Sequence, residues 1–239
     1  MSRKLLATAA LAPFLLYAGR AAAETQVTSS TRTAPIATST AASGAADDVK
    51  ITSDGAITPT VSGAIVTVDS NNTLTNNGSL ITAGVSDSTG VLVIGGHTGT
   101  ILNSGTISLA EDYTYTDDDD DGDYDGLFAK GSNRYGIRLT GTDPFVGTIT
   151  NDSAGAITIE GNDSAGISLE APLTGSLLHS GSISLIGDRS YGIHTTGTIS
   201  GNLTSNGSIS VLGAGGVGVA VDGDVAGAFV IQGSVYSTG

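Results

Sequence analysis

The chain has 239 residues, with 23 acidic against nine basic side chains and a formal net charge of −14. That balance argues against nucleic acid and anionic lipid as partners and suits solubility outside a cell. The sequence contains no cysteine, which excludes disulfide stapling and a thiol nucleophile.

The chain opens MSRKLLATAALAPFLLYAGRAAAE. Arg3 and Lys4 precede an apolar run from Leu5 to Ala18, and Ala21, Ala22 and Ala23 supply small residues before Glu24. This layout predicts a secretory signal peptide over 1–23, removed on export. The run is shorter than the ~20 residues a membrane span needs. The next segment, 24–46, is rich in Ser, Thr and Ala and has no apolar period. It reads as a poorly ordered tether.

From Asp47 to Gly239 the pattern changes. The composition, with 35 glycines and no tryptophan, favours β structure with many turns, and Ile, Val and Thr recur in short alternating runs. DGAITPTV (Asp54 to Val61), NGSLITA (Asn77 to Ala83), TGVLVIG (Thr89 to Gly95), TGTILN (Thr98 to Asn103) and SGTISLA (Ser104 to Ala110) read as strands. Three later blocks repeat without gaps, from Ala154, Ser180 and Asn206, and Gly155, Gly181 and Gly207 hold a period of about 26 residues.

Each block carries three strands. Ile157 and Ile159 align with Ile183 and Leu185, then with Ile209 and Val211. Ile167 and Leu169 align with Ile193 and Thr195, then with Val219 and Val221; Leu177 aligns with Leu203 and Phe229. One such block cannot bury its own apolar face, but stacked blocks can. The predicted fold is an all-β, right-handed parallel β-helix with three faces and about 26 residues per coil, comprising about six complete coils and the start of another. The block glycines are expected at corners, often with positive φ. Asn76 and Asn103 fall two residues before a first-strand glycine, where their amides are placed to stack between coils or support a turn.

About 20 extra residues interrupt one coil, over roughly 110–133, before the pattern resumes at YGIRL, which matches YGIHT from Tyr191. This insertion contains DDDDDGDYDG. Asp117, Asp119 and Asp121 precede Gly122, and Asp121, Asp123 and Asp125 precede Gly126. Alternating aspartates followed by a glycine turn are the pattern of a calcium loop, although the twelfth-position Glu of an EF-hand is replaced by Phe128 or Ser132. The alternative is a solvated acidic loop extended by self-repulsion. Because the coil closes without it, deleting Glu111 to Lys130 is expected to leave a folded β-helix.

Catalytic constellations are not evident. His97 lies in the turn GGHTG, His179 ends a third strand, and His194 points outward between Ile193 and Thr195. Arg138 and His194 hold matching outward positions two coils apart, with Ser168 between and Ala220 after, and that face shows no acidic ladder of the kind a lyase needs. No G-x-S-x-G, P-loop or H-E-x-x-H motif occurs. No catalytic residue and no cofactor other than calcium is predicted.

A signal peptide, a Ser/Thr-rich tether and Gly-rich coils such as NGSI, SGTI and NSGTISL together resemble the passenger region of bacterial autotransporters, which use type V secretion. The resemblance covers about Asp47 to Gly239. It implies export to the cell surface or beyond, in association with the outer membrane. Attachment there would be through a C-terminal β-barrel that is not among these 239 residues. The chain stops at QGSVYSTG just after a new coil begins, so further sequence or a stacking partner is expected there. The leading functional expectation is a non-catalytic, surface-exposed passenger for adhesion or surface contact, with a glycan or protein as its extracellular partner. The alternatives are a secreted carbohydrate-active β-helix enzyme, lyase or hydrolase in type, and a purely structural stalk.

Overall fold

The computed structural model describes residues 24–111, 116–120 and 127–239. The signal peptide expected over 1–23 lies outside them. Three parallel sheets form a β-solenoid of about eight turns. We call them faces I, II and III, after the first, second and third strands of each block. Face I runs through Ser79–Ala83, Thr106–Ala110, Ala156–Glu160, Ser182–Ile186, Ser208–Leu212 and Ser234–Thr238. Face II runs through Gly63–Val68, Ser88–Ile94, Arg134–Thr140, Ala165–Leu169, Tyr191–Thr195 and Val217–Val221. Face III runs through Asp48–Ile51, Leu74–Asn76, Thr98–Asn103, Phe145–Asn151, Leu173–His179, Leu203–Ser205 and Phe229–Ile231.

The aligned residues of the sequence are the paired residues of the ladders. Ile157, Ile183 and Ile209 pair in succession on face I, as do Ile167, Ile193 and Val219 on face II and Leu177, Leu203 and Phe229 on face III. Their side chains fill the interior: Ile57, Leu80, Ile107, Ile157, Ile183 and Ile209 form one column in which none is more than 2% exposed. Each such side chain contributes about 1.5–3 kcal/mol by leaving water. In the last coil the inward register holds Phe229, Ile231 and Val235, exposed by 50%, 42% and 42%, because no described coil covers them.

The expected tether is corrected by the structure. Within 24–46, Glu24–Val27, Thr31–Arg32 and Ile36–Ala37 pair with the next coil on faces III, I and II. Val27 and Ile36 are buried over the apolar columns, so this segment is the first coil and the solenoid begins before Asp47. Asp69 fixes it further, accepting hydrogen bonds from the Ser39 amide at 2.9 Å and the Ser39 hydroxyl at 2.8 Å.

The glycines also differ in their reason for being there. Gly155, Gly181 and Gly207 do not have positive φ. A Cβ on Gly181 would lie 2.0 Å from the carbonyl oxygen of Gly155, so side chains are excluded by coil-to-coil contact. On face II a Cβ on Gly192 would meet Ile209 at 2.3 Å and the Gly218 carbonyl at 2.4 Å.

The insertion lies between the strands ending at Ala110 and starting at Arg134. Its base is a polar clamp. Arg134 is buried, and its Nη1 donates to Glu111 Oε1 at 2.7 Å and to the Glu160 carbonyl, while Nε donates to the Val85 carbonyl at 2.8 Å. The Glu111 carboxylate also accepts from the amides of Lys130 at 3.2 Å and Gly131 at 3.0 Å. The Asn162 amide donates to the Ala129 carbonyl at 2.8 Å.

The clamp changes what a loop deletion should remove. Deleting Glu111 to Lys130 would strip a buried guanidinium of its counter-charge. Breaking such a pair costs about 3–5 kcal/mol. In urea unfolding, Glu111→Gln is expected to lose about 3 kcal/mol, whereas replacing 113–126 with a short Gly-Ser linker changes stability by about 1 kcal/mol or less. Equal midpoints for Glu111→Gln and the parent would show that the clamp is not structural.

Candidate functional site

Of the five aspartates expected to hold calcium, Asp117 and Asp119 lie among the described residues, and Asp121, Asp123 and Asp125 lie outside them. Among the described residues no group of three or more His, Cys, Asp or Glu side chains is placed to hold a metal ion. The calcium reading therefore stands on the sequence pattern.

The outward side of face II gathers the charged and aromatic groups. Tyr135 and Arg138 project from one coil, Ala165 and Ser168 from the next, and Tyr191 and His194 from the one after. Arg138, Ser168 and His194 alternate with the inward Ile137, Ile167 and Ile193, whereas Tyr135, Ala165 and Tyr191 face outward because Gly136, Gly166 and Gly192 after them also face the core, where a Cβ would meet Ile157, Ile183 and Ile209. The Arg138 guanidinium sits 4.0 Å from the centroid of the Tyr135 ring, a cation–π contact. Tyr191 and His194 stack with centroids 4.2 Å apart and 15° between planes.

Carboxylates from the following corner complete each stack. Glu170 takes a bidentate grip from Arg138, with Nε at 2.7 Å and Nη2 at 3.0 Å, and also accepts from Ser168 Oγ at 3.1 Å. Asp222 lies 2.9 Å from His194 Nε2. On the opposite rim Arg189 grips Asp163 with two contacts of 2.7 Å. The hydrogen bond from Arg189 holds the Asp163 carboxyl below its usual range, and the one that Arg138 donates to Glu170 raises the Arg138 guanidinium. Burial pushes the Tyr135 hydroxyl up.

Of these residues, all but Arg138 and Asp222 line a trough of about 620 Å³, floored by Ala165 and Ser168 and walled by Tyr135, Tyr191, Glu170 and Arg189. A second hollow of about 280 Å³ lies on the other side of Tyr135, lined by Asp87, Thr89, Asn133 and Arg138. The sequence reading located Arg138, Ser168 and His194 on this face but missed its acidic members. Glu170 and Asp222 follow the second strands directly, and their shared register, through Thr196, was the signal that pairs them with the cations.

The other two histidines are elsewhere. His97 lies in the turn before Thr98. His179 is fully buried and belongs to a polar column inside the solenoid. Asn76 Nδ2 donates to Asn103 Oδ1 at 2.7 Å, Asn103 Nδ2 to Asn151 Oδ1 at 2.7 Å, and Asn151 Nδ2 lies 3.1 Å from His179 Nδ1. The amide stacking anticipated for Asn76 and Asn103 is thus present and extends two coils further. With Nδ1 accepting, the ring proton sits on Nε2, 3.3 Å from the Ser208 carbonyl. Ser205 Oγ, next in the column, is buried with no hydrogen-bond partner among the described residues.

Comparison with known protein families, with curated proteins and with solved structures finds no match to this chain.

Burial lowers the pKa of His179 below its ordinary 6.5. The unfolded imidazole therefore takes up its proton first as pH falls. Stability is full above about pH 6.5 and declines below it, by at most about 1.4 kcal/mol per pH unit for this one group. His179→Asn keeps an amide in the column and gives Ser205 Oγ a donor. Unfolding free energies at pH 7.5 and 5.5 should fall less for this variant than for the parent, and parallel losses would refute the assignment.

Proposed function

We propose that the chain is an exported, surface-exposed, autotransporter-like β-helix passenger whose role is contact with an extracellular surface rather than catalysis. The observation that carries this reading is the outward side of face II, where both oxygens of Glu170 are held by Arg138, Asp163 is paired with Arg189, and Asp222 lies 2.9 Å from His194 Nε2. Groups engaged in this way present fixed donors and acceptors to a ligand. A general acid or base instead needs a proton-transfer path to the reacting atom. The rigid scaffold supports the same role, since it displays the trough along its axis with little ordering cost on binding.

The signal-peptide-like N-terminus supports export. The runner-up, a carbohydrate-active enzyme, keeps one favourable observation: Glu170 and Asp222 follow strands of the same face, two coils apart.

On intact producing cells, a membrane-impermeant amine reagent is expected to label this chain through Lys50 or Lys130. Purified protein is expected to release no reducing ends or unsaturated products from β-linked or acidic polysaccharides, with or without calcium. A chain labelled only after lysis would refute surface exposure. Product release that drops about 100-fold or more in Glu170→Gln would establish the enzyme reading instead.

A further inference from the structure

Face II carries the same constellation twice. Tyr135, Arg138 and Glu170 form one copy, and Tyr191, His194 and Asp222 form the other. In each, a tyrosine packs against an arginine or histidine three residues later, and a carboxylate from the next coil closes the pair. The motif that marks them, Tyr-Gly-Ile followed by Arg or His, recurs after two coils. The intervening coil has Ala165 and Ser168 at the same two positions, and the flanking coils have Thr89 with Leu92 and Val217 with Ala220. Tall, polar ridges therefore alternate with low coils along the axis. At one strand spacing per coil, the two copies stand about 9.6 Å apart.

From this duplication we propose that face II binds a linear, uncharged, β-linked polysaccharide lying along the solenoid axis, with one disaccharide repeat per two coils. The inference rests on the contact reading above and names its ligand class. Two sugar rings of an extended β-linked chain span nearly the length of two coils, so the same edge of the polymer meets each copy in turn. The hollows on either side of Tyr135 receive successive rings, with Asp87 and Asn133 at one and Asp163 with Arg189 at the other.

The charge pattern selects the ligand. Both guanidiniums, of Arg138 and Arg189, are paired with carboxylates, of Glu170 and Asp163, and the His194 ring meets the Asp222 carboxylate. A polyanion would need unpaired cations. A hydroxyl both donates and accepts, so a neutral glycan matches donors and acceptors set side by side. A polyproline II peptide also repeats at about 9.3 Å per turn. Its proline carbonyls only accept, which leaves the carboxylate half of each constellation unmatched.

The test is calorimetric titration of the full chain with cellohexaose and chitohexaose, with cellobiose and chitobiose as short controls, maltohexaose as a curved control, and deca-proline as the peptide alternative. At least one β-linked hexasaccharide should bind at least 10-fold tighter than its disaccharide, because only the hexamer reaches both copies. Maltohexaose and deca-proline should bind at least 10-fold more weakly than that hexamer. Tyr135→Ala and Tyr191→Ala should each weaken the hexamer about 10-fold while leaving the circular dichroism spectrum unchanged. Equal affinity for hexamer and dimer, no binding of either hexamer at millimolar concentration, or preferential binding of deca-proline would each overturn the proposal. The length dependence needs no variant, so misfolding cannot mask the outcome. Surface labelling without glycan binding overturns the glycan inference alone. Glycan binding by a chain that is never labelled on intact cells overturns the surface reading.

Discussion

The constraint on which the rest depends is the register between coils. Each residue pairs with the one about 26 positions away, and that pairing decides at once what is inside, what is outside and what a glycine must avoid. No single coil has an interior of its own. Ile183 is buried because Ile157 and Ile209 lie below and above it in the same column. A one-residue slip would turn that column outward and bring the Gly155 and Gly181 corner into collision. Register is therefore fixed by sterics at the corners as well as by burial within the faces.

Register also explains how polar groups are tolerated inside. An isolated buried amide is costly. Stacked one coil apart, Asn76, Asn103 and Asn151 satisfy one another, with each amide donating to the next carbonyl. His179 continues the series by presenting a ring nitrogen as acceptor. The column is thus a polar equivalent of the apolar ladders, and its histidine is a structural member rather than a free titrating group.

What the sequence made legible was whatever repeats. The columns of Ile, Leu and Val, the corner glycines and the stacking of Asn76 with Asn103 all follow from aligning residues at the period. Features that depend on a single residue or on a corner were hidden. The first coil was missed because its strands are two to four residues long and their only buried apolar residues are Val27 and Ile36. Nothing local shows that Glu111 meets Arg134 across 23 positions. Glu170 and Asp222 stand just past their strands, where alternation no longer predicts direction. The solenoid closes without the acidic insertion, yet the residues at its base belong to the solenoid.

The same geometry separates stability from recognition. On face II the inward Ile137, Ile167 and Ile193 hold the coil together, and the outward Tyr135, Ala165 and Tyr191 share the ladder without entering the core. An outward side chain can change size from coil to coil while its inward neighbours stay nearly constant. Face II shows this directly: the inward column Val91, Ile137, Ile167, Ile193 and Val219 remains aliphatic across coils in which the outward one reads Thr89, Tyr135, Ala165, Tyr191 and Val217. Alternation of large and small along that outward column is therefore not imposed by packing within the solenoid. Core burial leaves the outward column unconstrained, so its two-coil rhythm, completed each time by a carboxylate from the next corner, points to something that lies against it.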